Sequence, residues 1–264
     1  MEGIPSKAHT LHSNIPKLEY VANSGFTKTC LERAGYNVID VCHHAINWDK
    51  CRKLKEDSKT LRKKWTKEFR GRAKIIFVGR NDPRKGLDHL EKAINIVNRE
   101  LKSKVIFLIF SEGKLDDLEK HTNVLRIGNV GALPHDQVLR MIGASDYLVF
   151  PSVCEGFGLP LLEANAMGIP AIHCWMPPLS EFSSKDFNFT FGFQRESLVN
   201  QANLQYWHFH EYRPEMLAEM MMEAINTYVD RKGEYKEFCK LALAHSKKWD
   251  YHTIYSKLLD RLEV

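Results

Sequence analysis

The stretch KIIFVGRNDPRKGLDHLEKAINIVNREL, Lys74 to Leu101, sets three patterns in a row. Ile75 to Val78 is a short apolar run without alternation, the pattern of a strand covered on both faces. Leu87, Leu90, Ile94, Val97 and Leu101 then recur at helical spacing, so the following segment has one apolar face to lay on a sheet. Between them RNDPRKG carries three cations and closes on Pro83 and Gly86. The unit repeats as KVIFLIF then KLDDLEKH, NVLRIG then HDQVLRMIGA, DYLVFPS then GLPLLEANAMG, and last PAIHCW. Strand and helix alternating in this way predict an α/β domain with a parallel, doubly wound sheet. From Pro214 onward, PEMLAEMMMEAINTYVD, EYKEFCKLALAHS and YHTIYSKLLDRL read as helices.

The 264 residues are 44% hydrophobic and 27% charged, a globular composition sufficient for one large domain or two small ones. No apolar run reaches the about 18 residues of a membrane span, and MEGIPSKAHTLHSNIP lacks the blocks of a signal peptide, so a cytoplasmic location is expected. The cysteines (Cys30, Cys42, Cys51, Cys154, Cys174, Cys239) are scattered without a C-x-x-C pair, which predicts reduced thiols and no structural metal. The net charge of +5 is concentrated between Lys50 and Lys74, where twelve Lys or Arg face three acids. Leu54, Leu61, Trp65 and Phe69 give that segment the apolar stripe of an amphipathic helix. Its basic face is either a solvated surface or a peripheral contact with anionic lipid. The aromatic residues lie on the stripe and are not interleaved with the cations, which argues against nucleic acid.

In an open α/β sheet, ligands bind beyond the carboxyl ends of the strands. After KIIFVG the loop supplies Arg80, Arg84 and Lys85. After DYLVFPS the loop VCEGFGLP supplies Gly156 and Gly158, then a helix start near Leu159 with Pro160 in its first turn. Free N–H groups at that start, together with fixed cations, suit an anion, and a diphosphate fits. Glu155 and Glu163 flank the helix start at roughly 10 Å by helical rise. That is wider than the roughly 5 to 9.5 Å of a glycosidase pair. Two carboxylates so placed can accept hydroxyls at the two ends of an extended ligand, the shape of a nucleotide diphosphate sugar.

FVGRNDPRKG and SDYLVFPSVCEGFGLPLLEANAMGIPAI together resemble the donor-binding domain of glycosyltransferase family 4, retaining enzymes of the GT-B fold. The second stretch carries the family's E-x7-E motif and the first its GR…KG loop. The resemblance covers Lys74 to Ile172 closely and the C-terminal helices loosely. It implies that Arg80 and Lys85 hold the donor diphosphate, Glu155 contacts the sugar and Glu163 the ribose. Arg80, Lys85 and Glu155 form the implied catalytic set. Gly156, Phe157, Gly158 and Leu159 would supply backbone contacts to sugar and phosphate, although the Phe157 ring can equally anchor its loop. IGNVGALP resembles the base-binding turn, making Val130 a wall for the base or a core residue. The implied reaction moves a sugar, with retention, from a UDP- or GDP-sugar ahead of an ADP-sugar to a hydroxyl of a glycan, lipid or protein. It needs neither cofactor nor metal, because the cations and helix N–H groups stabilise the leaving diphosphate.

The sequence also departs from that family. In MPPLSEF, Pro177 and Pro178 stand where glycines are common, before Glu181, which matches a third family glutamate; this alters the donor-sugar side. SEG, Ser111 to Gly113, replaces a G-x-G. LVNQANLQYWHFHEYRP, Leu198 to Pro214, is longer than the usual connection and reads as a packed aromatic loop or as a contact for an acceptor or a partner. KLEYVANSGFTKTCLERAGYNVIDVCHHAIN resembles the end of an acceptor domain and its hinge, with His44 matched but Ala45 and Asn47 in place of glycine and aspartate. His43 and His44 are expected to serve the hinge, not proton transfer. About 70 residues precede Lys74, against roughly 100 to 150 for a whole domain. The expected division is 1–70, an incomplete N-terminal acceptor domain with hinge and basic helix; 71–247, the donor domain; and 248–264, a C-terminal helix packing back on the N-terminal part. Two functions follow: a glycosyltransferase, alone or with a partner chain completing the acceptor domain, or a noncatalytic nucleotide-sugar-binding subunit.

Overall fold

The computed structural model describes residues 4–5, 18–113, 115–201 and 205–261. The N-terminal part holds β1 (Ile4–Pro5), β2 (Tyr20–Ala22), α1 (Gly25–Arg33) and β3 (Val38–Val41), followed by α2 (Trp48–Asp57) and α3 (Lys59–Glu68). The alternating region runs β4 (Ala73–Val78), α4 (Leu87–Glu100), β5 (Val105–Phe110), α5 (Asp116–Glu119), β6 (Val124–Gly128), α6 (His135–Ala144), β7 (Tyr147–Phe150), α7 (Leu159–Ala166), β8 (Ala171–Cys174) and β9 (Phe189–Phe191). It ends in β10 (Arg195–Gln201), β11 (Gln205–Glu211), α8 (Pro214–Asp230), α9 (Lys232–Ser246) and α10 (Tyr251–Arg261).

β4 to β9 form one parallel sheet in the order β6-β5-β4-β7-β8-β9. Every residue of β5, β7 and β8 is buried, which is why these strands carry no polar alternation. α4 lies on one face, where it packs with α8, and α6 and α7 lie on the other, with α2 and α3 against α6. The sheet is therefore doubly wound, as the sequence periodicity predicts. The chain builds outward from β4 to β6 and returns to β7 beside β4, so the topological switch point lies between β4 and β7.

A buried carboxylate ties the starts of these two strands together. Asp146, fully buried just before β7, meets Lys74 Nζ at 2.7 Å, accepts Lys74 N–H at 2.9 Å, and accepts Arg62 Nη2 of α3 at 2.5 Å. Burial lowers the Lys74 pKa, and Asp146 is what opposes that loss.

Two sequence expectations change. The basic segment is two helices, not one, broken at Ser58, whose buried hydroxyl donates to Lys55 C=O at 2.6 Å. Several of its cations serve the fold: Lys55 donates to Gly143 C=O at 2.8 Å and burial lowers its pKa to about 8, while Arg62 and Lys74 share Asp146. The aromatic segment is no loop. It lies largely in a hairpin, β10 against β11, with β1 on the other edge of β11. Alternation of Trp207 and Phe209 with His208 and His210 suits a strand with two different faces. Among the described residues, no helix is long and apolar enough to cross a membrane.

β2 and β3 pair in parallel and with α1 form a small separate core of Ala22, Leu31, Ala34, Tyr36 and Val38. Past it, Ile46 bridges Asp250, Trp48 N–H donates to Asp250 Oδ1 at 3.0 Å, and Ala45 N–H to Tyr255 of α10 at 3.2 Å. Asn47, where the resembling family has aspartate, caps α2 by accepting Lys50 N–H at 2.9 Å.

Asp146→Ala strands the Lys74 ammonium in the core and is expected to cost about 3 to 5 kcal/mol in urea unfolding. Asp57→Ala, which removes only the exposed partner of Arg140, is expected to cost about 1 kcal/mol or less.

Candidate functional site

The loops that follow β4 and β7 meet at the switch point. Val153 N–H donates to Arg84 C=O at 2.9 Å, and Gly86 lies so close to Pro151 that a Cβ there would sit 2.1 Å from the Pro151 carbonyl oxygen. Gly86 also has φ +68°, so both its backbone and its contact exclude a side chain. Asp82 accepts Arg84 N–H and its carbonyl accepts Lys85 N–H at 2.8 Å, a tight turn opening α4. This turn aims Lys85 at the second loop. Lys85 Nζ meets Glu155 Oε1 at 2.6 Å, with the side chains only 16% and 4% exposed.

Beyond Glu155 the chain enters α7. Gly158, φ +104°, is its N-cap, and a Cβ there would come within 2.3 Å of Leu179. Gly156 and Phe157 are buried, whereas Leu159 is exposed at the helix start. The Phe157 ring stacks on Phe182 at 4.7 Å and lies edge-on to His44 at 5.3 Å. That ring anchors the loop, which leaves its backbone as the part able to meet a ligand. Arg80 stands exposed at the end of β4. Val130 is partly buried against the main core.

Glu163, one turn into α7, faces His135 at the start of α6, with Nε2 3.0 Å from Oε1. That partner went unread in the sequence, because only the packing of α6 on α7 brings the two together. The hydrogen bond from Glu163 raises the His135 pKa.

Glu181 is also placed by tertiary structure. It accepts Gly25 and Phe26 N–H at the start of α1, at 2.8 and 2.9 Å, and pairs with His43 Nε2 at 2.8 Å. Desolvation acts to raise its pKa, but the His43 bond and the two N–H groups outweigh that and lower it. Its carboxylate thus joins the sheet domain to the N-terminal part. His43 also lies edge-on to Trp249 at 5.3 Å.

This fold has known counterparts. The profile of glycosyl transferases group 1 matches residues 57–233, and the chain belongs to that family. A glycosyltransferase of Sulfolobus islandicus rod-shaped virus 1 is 26% identical over 263 residues, covering 98% of this chain and 77% of the viral protein. A glycogen synthase of Mycobacterium tuberculosis is 32% identical over 107 residues, 39% of this chain and 26% of that enzyme. Among solved structures, a glycosyltransferase from Rickettsia africae superposes with a TM-score of 0.73 at 15% identity, covering 99% of this chain and 67% of that one. HepE of Anabaena, solved with UDP-glucose, superposes with a TM-score of 0.69 at 17% identity, covering 92% and 63%. The fold is that of the GT-B glycosyltransferases.

The raised His135 pKa gives a signed expectation. An unfolded histidine titrates near 6.5, so stabilisation by the His135–Glu163 pair is complete below about pH 6.5 and is lost as pH rises through the higher folded value. With His135 63% exposed, solvent screening limits the effect to about 1 kcal/mol or less. In an NMR titration His135 should titrate above the ordinary value, and Glu163→Gln should bring it back down.

Proposed function

We propose that the chain forms the donor-binding part of a retaining, metal-independent glycosyltransferase that moves a sugar from a nucleotide diphosphate donor to a hydroxyl acceptor. The observation that carries this reading is the pairing of the half-withdrawn Lys85 with the buried Glu155, set where two loops 70 positions apart in sequence converge on the start of α7. A diphosphate arriving there takes Lys85 as a counter-ion, with Arg80 and the α7 N–H groups on its other oxygens. Glu155, released from Lys85, accepts a sugar hydroxyl. Glu163 accepts the ribose hydroxyls, Val130 borders the base, and the Gly156–Leu159 backbone lines the phosphates.

The chemistry asked of these residues is mainly electrostatic. Charge grows on the leaving diphosphate as the anomeric bond breaks, and Lys85 and Arg80 stabilise it more in the transition state than in the bound donor. Glu155 orients the sugar. The UDP and UDP-glucose complexes of the Anabaena neighbour support a uridine donor class. This chain spans 62% of the Anabaena HepE chain and 67% of the Rickettsia africae chain.

Calorimetric titration with UDP, GDP, ADP and their sugar conjugates, with free nucleotide followed in the same samples, tests the reading. A uridine or guanosine sugar is expected to bind and slowly lose its sugar; binding without release favours a noncatalytic donor-binding subunit. Lys85→Ala and Glu163→Ala should each weaken binding about tenfold to a hundredfold, the loss of one charge-assisted bond. Wild-type affinity in both variants would remove the site assignment.

A further inference from the structure

The hairpin carries a cluster that the donor site does not use. β10 and β11 pair in a register that sets Glu196 opposite His210 and Leu198 opposite His208. Residues two apart on a strand share a face, so both imidazoles and the carboxylate project to the same side. One donor atom from each of Glu196, His208 and His210 lies within 4.8 Å of the others. Glu196 Oε2 is 2.9 Å from His208 Nε2, and Oε1 is 3.9 Å from His210 Nε2.

The second observation concerns satisfaction. His210 is 1% exposed, and among the described residues neither of its ring nitrogens has a hydrogen-bond partner, nor has His208 Nδ1. A buried polar group left unpaired costs about 1 to 3 kcal/mol, and native structures leave few of them. Phe26 of α1 lies 5.4 and 5.9 Å from the two imidazoles, and Phe193 lies 4.8 Å from His210, giving the cluster apolar surroundings. Glu196, 47% exposed, leaves an approach from solvent.

We propose that Glu196, His208 and His210 bind one divalent first-row transition-metal ion, of which Zn2+ is the best-suited probe. Two imidazoles and one carboxylate make a mixed nitrogen and oxygen set that suits Zn2+ and leaves a position for water. Mg2+ and Ca2+ favour all-oxygen shells and are poorly matched. Bonds of about 2.0 to 2.2 Å require the three donor atoms to close by about an ångström. The expectation of no structural metal rested on cysteines with neither a C-x-x-C pair nor a histidine set at zinc spacing nearby, a test that is silent about histidines alternating on a strand opposite a glutamate.

The ion has a mechanical consequence. His210 N–H donates to Val153 C=O at 2.7 Å, two residues before Glu155, and Trp207 lies under the Arg84 guanidinium at 5.0 Å. Metal binding clamps a hairpin that supports both loops of the donor site, while the ion itself lies outside that site.

Zn2+ titration of the metal-stripped chain, with calorimetry and thermal melts, tests the proposal independently of any nucleotide. The wild type is expected to take up one Zn2+ and melt at a higher temperature with it. Glu196→Gln and His208→Gln, each shown folded by circular dichroism, should weaken uptake about tenfold or more. Co2+ in the same site should give weak visible bands without an intense thiolate band, separating it from binding at the cysteines. No uptake by the wild type at micromolar free Zn2+ overturns the proposal. So does undiminished uptake by the folded Glu196→Gln/His208→Gln double variant.

Discussion

The close approach of Gly86 to the Pro151 carbonyl is the constraint on which the site depends. Adjacent parallel strands deliver their loops to one edge, but adjacency alone leaves those loops free to diverge. Here the missing side chain at Gly86 lets the turn after β4 lie against the end of β7, and the Val153 to Arg84 hydrogen bond holds it there. Lys85 then has little choice but to point at Glu155. A tightly held backbone contact thus becomes a fixed ammonium beside a buried carboxylate.

The cations of this basic chain divide by what they face. Lys74, Arg62 and Lys55 are directed inward, to Asp146 and to the carbonyl oxygen near the end of α6, so that they tie α3 and β4 to the start of β7 and α2 to α6. Lys85 is half withdrawn and paired, and Arg80 is out in solvent at the end of β4. Cations near one end of β4 are therefore locked into the core, while those beyond the other end lie near or at the surface. A net charge of +5 says little about partners until that division is known.

The junction with the N-terminal part follows the same logic on a smaller scale. Glu181 receives two N–H groups from the start of α1 and one imidazole from His43, so an acidic residue of the sheet domain satisfies a helix end outside it. Phe157, Phe182 and Trp249 pack around the same point. The loop carrying Phe157, the segment carrying His43 and the residues before α10 meet in one aromatic and acidic cluster.

Periodicity and motif order were enough to determine the parallel doubly wound sheet, the helices on it and the placement of Lys85, Glu155 and Gly158 at strand ends, because unbroken apolar runs and helical stripes are local consequences of burial. The sequence also carried the two loops that belong to the glycosyl transferases group 1 family. The short β9, the break at Ser58 and the hairpin over the aromatic segment needed the structure, since three residues, one serine and a run of aromatic side chains have no unique local reading. Which charges pair was likewise decided only in three dimensions. Glu163 with His135, Glu181 with His43 and Glu196 with His208 are each set by the packing of separate elements, and no spacing along the chain encodes it.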